Sequence, residues 1–336
     1  MSAEAIGKKG GAPERAAFAA ALSDPNADIA RLNSAKEKLS RRLWHYNQGT
    51  FAGTLAGSLS DEEIRAASAK QKIWLAALCA EAGFVRKAAR LVDQAGAGAF
   101  EQYRRPGLVL ALADFRPQLT APYQAEIARA KAYMDGLGGF ARLVQDNRGG
   151  VAVVGNAPCE IGKKRGAEID ARGLVIRFNN FSEAPEVIPD YGGKTDVWVR
   201  APTYLRAWRR YGRRFQLMMF GRPILWRVEH GVEALADIAM IGAAADEMPA
   251  RLYAELQIAL GAPPSAGIAI LYWIRHCLGS LDGVLVAGFD PASQSAGLKK
   301  YFDHLPLNAE PPHNWAAEAQ MLEEMIAGAP LSRAKA

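Results

Sequence analysis

The chain is short of everything that would cross-link it. Its 336 residues include three cysteines, Cys79, Cys159 and Cys277, with no C-x-x-C pair among them, so neither a disulfide framework nor a zinc knuckle is expected. The five histidines (His45, His230, His276, His304, His313) show no H-x3-H or H-E-x-x-H spacing. That excludes a zincin-type site, and any metal would have to come with substrate. Long apolar runs are missing too: the longest, Ala266 to Ile274, stops at Arg275 after nine residues, too few for a bilayer span. No apolar stretch follows the charges of Met1-Ser-Ala-Glu-Ala-Ile-Gly-Lys-Lys, so no secretory signal is read and a cytoplasmic location is expected.

What is present is ordinary globular composition, with 50% apolar and 23% charged residues, and a length suited to two or three units. The net charge of +6 is uneven: residues 1–150 hold 21 Lys and Arg against 15 Asp and Glu, whereas 151–336 hold 20 of each. No RNP, helix-turn-helix or C2H2 pattern accompanies that excess, so nucleic acid is not an expected partner.

From Pro13 to about Arg148 the chain is rich in Ala, Leu, Arg and Glu and poor in β-branched residues, which predicts an all-helical region over 1–148. Ile64 to Glu81 and Phe84 to Ala95 carry apolar residues at helical intervals, and Ser60-Asp-Glu-Glu63 supplies a cap with acidic residues in the first turn. The stretch from Trp74 through Gly83 to Val92 is similar to one tetratricopeptide-like hairpin, but a solenoid needs three or more. A plain helical domain is the preferred reading.

Asp146-Asn-Arg-Gly-Gly150 breaks this pattern. Short apolar runs follow at Val151–Gly155, Leu174–Asn179, Thr195–Val199, Gln216–Phe220 and Gly283–Gly288, with helical stretches near Lys163–Asp170, Tyr204–Tyr211, Met248–Leu260 and Gly267–Leu278. Apolar strands alternating with helices predict an α/β domain over 149–330, a Rossmann-like, mainly parallel sheet with helices on both faces. Ligands of such sheets sit beyond the carboxyl ends of the strands, so chemistry is expected just after Val154, Phe178 and Ala287.

The turn Gly155-Asn-Ala-Pro-Cys-Glu-Ile-Gly162-Lys-Lys matches neither G-x-G-x-x-G nor G-x4-G-K-[ST], which counts against a Rossmann dehydrogenase or a P-loop NTPase. It reads equally as a phosphate-facing loop or a plain tight turn. Arg177, Asn179 and Asn180 close the second strand, where they serve either a ligand or the loop backbone. Arg200, Arg206, Arg209, Arg210, Arg213 and Arg214 form a run without acidic residues. It reads first as a solvated helix face, and second as a contact for an anionic glycan or a membrane surface. His313 follows Pro311-Pro312 and precedes the apolar-periodic stretch Trp315 to Ile326. At a helix N-terminus its imidazole would stay neutral, as a general base must.

Val153-Val-Gly155-Asn156, Ala167-Glu168-Ile169-Asp170 and Val175-Ile-Arg177-Phe-Asn179 together resemble the large sialylmotif of the sialyltransferase family. Three further motifs follow in order. Pro264-Ser265-Ala-Gly267, with Val284-Leu-Val-Ala-Gly288-Phe289-Asp290, is similar to the small motif. Lys300-Tyr301-Phe302-Asp303 is similar to the third, and His313-x4-Glu318 to the very small one. The resemblance covers about residues 150–327 and nothing in 1–148. The family's usual first cysteine is Val151 here, while Cys277 holds the second position, so that disulfide cannot form, as suits a soluble bacterial-type member. Lys300 stands where the family commonly has His, and Cys159 where a polar side chain is usual.

The resemblance implies a GT-A-like variant of the sheet. It also implies an inverting glycosyltransferase moving an acidic sugar, sialic acid or Kdo-like, from a CMP-sugar to a glycan or glycolipid hydroxyl. Gly155, Asn156, Asn179, Ser265 and Gly267 would position the nucleotide, Lys300 and Tyr301 would steady the leaving phosphate, and His313 would be the base. No D-x-D occurs, which fits a CMP-sugar donor with one phosphate, and neither metal nor separate cofactor is expected. Peripheral contact with the inner face of the membrane is compatible with this reading. The alternative is a non-catalytic nucleotide- or glycan-binding protein whose helical region docks a partner.

Overall fold

The computed structural model describes residues 61–81, 83–200, 215–227, 231–241, 244–260, 262–290 and 313–328. The predicted helix at Tyr204–Tyr211, the third motif with Lys300 and Tyr301, and His304 lie outside the described residues. The described chain divides into two compact units, 61–132 with 224–236, and 133–223 with 237–328.

The first unit is helical. Ser68 and Gln71 start the helix Ala69–Glu81 with a reciprocal cap: the Ser68 amide donates to Gln71 Oε1 at 2.6 Å and the Gln71 amide to Ser68 Oγ at 3.4 Å. Gly83, at φ +84°, turns the chain into the next helix, Val85–Ala95. Ile73, Leu78, Ala88, Leu91, Phe100 and Leu108 fill the core beneath. The short helix Ile224–Arg227 joins this unit, because the Trp226 ring lies where a Cβ on Gly107 would stand, 2.6 Å from its nearest atom.

The second unit holds six strands, all parallel: β1 (Val151–Val154), β2 (Leu174–Phe178), β3 (Val197–Val199), β4 (Leu217–Phe220), β5 (Ala245–Glu247) and β6 (Leu285–Ala287), in the order β5-β4-β3-β2-β1-β6. Successive side chains of β1 alternate between two apolar layers. Val151 and Val153 face helices Gly139–Asp146, Ala250–Leu260, Ala266–Leu278 and Trp315–Ile326, while Ala152 and Val154 face Ile169 and Tyr191. Phe140 and Trp273, with ring centroids 4.6 Å apart, lock the helix before β1 into the first layer. No helix among the described residues is long and apolar enough to cross a membrane.

β1 lies between β2 and β6, so the strand order reverses there. An open parallel sheet has its crevice at such a switch point, beyond the carboxyl ends of the strands. β5 and the helix Gly231–Ile241 were not among the predicted elements. Asp246 and Glu247 tolerate a buried strand because Asp246 accepts the amides of Gly138 (3.1 Å) and Phe140 (2.9 Å), and Glu247 accepts the Tyr133 hydroxyl (3.3 Å).

Candidate functional site

At the switch point the backbones of Gly155 and Gly288 pass in direct contact. A Cβ on Gly155 would lie 2.3 Å from the Gly288 carbonyl oxygen, and one on Gly288 2.4 Å from that of Gly155. Three bonds tie the turns after β1 and β6: Gly155 N–H to Ala287 O at 2.8 Å, Ala157 N–H to Gly288 O at 2.9 Å, and Gly288 N–H to Glu160 Oε1 at 3.3 Å. Phe289 extends this junction to the helix Ala266–Leu278, since its ring leaves no room for a Cβ on Gly267 (2.4 Å) and little for one on Gly155 (3.1 Å).

Asn156 reaches across to β2. Its Nδ2 donates to the carbonyls of Phe178 and Asn180, both at 3.0 Å, and so straddles Asn179. Asn179 takes a left-handed conformation, φ +50°, which asparagine tolerates better than most residues. Its amide donates to Val199 O at 2.7 Å, and its carbonyl accepts Trp198 Nε1 at 2.7 Å. Among the described residues the Oδ1 atoms of Asn156 and Asn180 are buried without a hydrogen-bond partner. Buried amide oxygens of this kind call for a water or a ligand.

The loop after Asn156 does not offer a row of amides to a phosphate. Gly162 N–H and Lys164 N–H go to Asp190 at 2.7 and 2.9 Å, Glu160 N–H to the Tyr191 hydroxyl at 3.3 Å, and Lys163 N–H to Glu160 O at 3.0 Å. These amides of residues 160 and 162–164 serve the fold of the loop itself. Free donors lie instead at the start of helix Ala266–Leu278. Ser265 caps it with Oγ accepting Ile268 N–H at 3.4 Å, and among the described residues the amides of Ala266 and Gly267 carry no hydrogen bond. Two unpaired N–H groups at a helix start suit an anion.

His313 abuts the same turn. Its Nδ1 is 2.8 Å from the carbonyl oxygen of Pro263. A carbonyl only accepts, so Nδ1 carries the proton and the neutral ring keeps its lone pair on Nε2. Asn314, not His313, is the helix cap, its Oδ1 accepting Ala317 N–H at 3.2 Å. Burial pushes the His313 pKa below 6.5; the Pro263 bond opposes this and the Arg222 charge assists it. The neutral imidazole thus owes more to desolvation than to a helix terminus.

Glu318 does not contact His313. Its buried carboxylate accepts the Ser265 amide at 2.7 Å and the Ser265 hydroxyl at 2.6 Å. Burial raises its pKa to about 7 against these two bonds, which lower it. This pairing was not legible in the H-x4-E spacing, because its partner is 53 positions away.

Several polar residues of the motifs are structural. Arg177, 1% exposed, donates to the carbonyls of Lys194, Tyr191 and Gly192 at 2.9, 2.5 and 3.0 Å. Asp170 accepts the amides of Gly193 and Lys194, and Glu168 is an exposed partner of Arg165 and Arg172. Arg200 corrects the reading of its cluster as a solvated face. It is 1% exposed at the end of β3, with its guanidinium over the rings of Trp198 and Phe220; the other five arginines lie outside the described residues. The Cys159 thiol is held above its ordinary pKa by burial and by Glu160, with Sγ 3.7 Å from the carbonyl of Phe289. No group of three or more His, Cys, Asp or Glu suited to a metal occurs among the described residues. Comparison of the chain with protein-family models and with curated proteins finds no match.

Proposed function

We propose that the protein is an inverting glycosyltransferase that transfers an acidic sugar, sialic acid or Kdo-like, from a CMP-sugar to a hydroxyl of a glycan or glycolipid, on a Rossmann-like, GT-A-like sheet. The observation that carries this reading is the turn Pro263–Ser265. One end of it fixes His313 with Nε2 as the free base, and the other opens a helix whose first amides are unpaired. A base and an anion-binding terminus on a single turn are what attack beside a phosphate leaving group requires.

In this mechanism the donor phosphate lies against the amides of Ala266 and Gly267 and the Ser265 hydroxyl. The ribose and base lie toward Gly155, Asn156 and Asn179, where buried amide oxygens await donors. His313 Nε2 takes the acceptor hydroxyl proton as the acceptor oxygen bonds to the anomeric carbon. The bond from that carbon to the phosphate oxygen breaks with inversion, and CMP departs. Lys300 and Tyr301 are assigned to the leaving phosphate from the third motif alone. A glycolipid acceptor would place the enzyme at the inner face of the membrane as a peripheral protein.

The test is incubation of the purified protein with a panel of CMP-sugars, following CMP release and thermal stabilisation, since a ligand of the folded state raises apparent stability. Stabilisation by CMP-sugars with release of CMP supports the reading. Binding without turnover in the presence of acceptors favours the non-catalytic alternative, and stabilisation by NAD or ATP but not by CMP contradicts both.

A further inference from the structure

We propose that Glu318 is a positioning residue that sets the direction of the Ser265 hydroxyl, so that a nucleoside phosphodiester binds at the start of helix Ala266–Leu278 together with one proton from solvent. The inference rests on the phosphate position proposed above and adds a proton to it.

The geometry is a two-position switch. An ionised carboxylate only accepts, and that of Glu318 takes both donors of Ser265, N–H at 2.7 Å and O–H at 2.6 Å. The hydroxyl hydrogen is then spent inward, and Oγ can offer an incoming anion only lone pairs. Protonation reverses this arrangement. One Glu318 oxygen still accepts the Ser265 amide, the other becomes an O–H that donates to Oγ, and the serine hydrogen turns outward beside the unpaired amides of Ala266 and Gly267. The balance is one carboxylate and one proton from water giving one carboxylic acid, with no other bond made or broken.

The surroundings permit the proton to be held. Glu318 is 1% exposed, and Ser265 supplies the only hydrogen bonds of its carboxylate among the described residues. Burial already brings its carboxyl to about 7, so a phosphate negative charge nearby would complete the protonation at neutral pH. The other ionisable groups on the packed elements are His313 and Arg222 near this end, Tyr272, Arg275, His276 and Cys277 on helix Ala266–Leu278, Tyr253 and the pair Arg251–Glu255 on helix Ala250–Leu260, and Glu323 and Glu324 further along the Glu318 helix. None of them is hydrogen-bonded or ion-paired to Glu318.

The test uses the methyl ester of CMP, a phosphodiester that does not itself titrate near neutrality. Calorimetric titration of the full chain in two buffers of different ionisation enthalpy, from about pH 7 to pH 9, reads the protons taken up. There His313, depressed below 6.5, is already neutral. The expected result is uptake of about half a proton near pH 7 that approaches one as pH rises, with affinity falling by up to tenfold per pH unit above about 7. Glu318→Gln, which can accept the Ser265 amide and donate to Oγ, should bind without uptake and with affinity independent of pH. Ser265→Ala, which has no hydroxyl to turn toward the phosphate, should bind more weakly than wild type at the lower pH values. Wild-type binding with no proton uptake, uptake that survives in Glu318→Gln, or undiminished affinity in Ser265→Ala overturns the inference and leaves the transferase reading standing. Failure of the folded wild-type chain to bind the diester at any pH overturns both.

Discussion

Gly155 and Gly288 hold the turns after β1 and β6 in backbone contact, each occupying the space that a Cβ on the other would need. Neither neighbour is a flexible side chain that could move aside. Gly288 is also left-handed at φ +69°, a region costly to other residues. Gly155→Ala and Gly288→Ala should each destabilise the protein by about 1–3 kcal/mol, as overpacking does. Gly162→Ala, whose Cβ meets nothing within 4 Å, should cost less, with only its positive φ to strain. Urea denaturation midpoints of the three variants check this ordering, and equal midpoints would contradict it.

The buried Glu318 carboxyl also predicts how stability depends on pH. Its folded pKa of about 7 lies above the ordinary 4.5, so the folded state binds more protons than the unfolded one between those values. Stability from this group is complete below about pH 4.5 and is lost as pH rises through about 7. Glu318→Gln should therefore gain stability relative to wild type on going from pH 5 to pH 8. A constant difference between the two proteins over that range would show that the carboxyl is not buried against Ser265 as described.

Transfer should need no divalent metal. The sequence has no D-x-D, and the described residues hold no cluster of ligating side chains. Turnover should persist in EDTA. Activity that EDTA abolishes and Mg²⁺ or Mn²⁺ restores would contradict the donor site described above.

Much of the sheet was readable because five of its six strands are apolar runs buried on both faces. β5 was not, since Ala245-Asp246-Glu247 acquires its buried acids only through the Gly138 and Phe140 amides and the Tyr133 hydroxyl, contacts more than 100 positions distant in sequence. Ser265 was legible only through the small-motif resemblance, with a helix expected from Gly267 to Leu278. The contacts that set the chemistry were not, because His313 meets Pro263 50 positions away and Glu318 meets Ser265 53 positions away, and no local periodicity encodes such pairs. Arg177 shows the same limit from the other side. Near the end of its strand it reads equally as serving a ligand or the loop backbone, and only the fold shows it donating to three loop carbonyls.

The central claim is that His313 Nε2 is the base, and turnover of a CMP-sugar by His313→Ala tests it most directly. The account predicts a fall in kcat of about 10² to 10⁴ with CMP affinity little changed, because the imidazole acts on the acceptor hydroxyl and not on the nucleotide. It predicts further that wild-type kcat rises with pH through a pKa below 6.5, the direction in which burial moves this imidazole, and that His304→Asn is tolerated, His304 being the rival base directly after Asp303 of the third motif. Near-normal turnover in His313→Ala, with activity lost in His304→Asn, would contradict the account and move the base into the third motif.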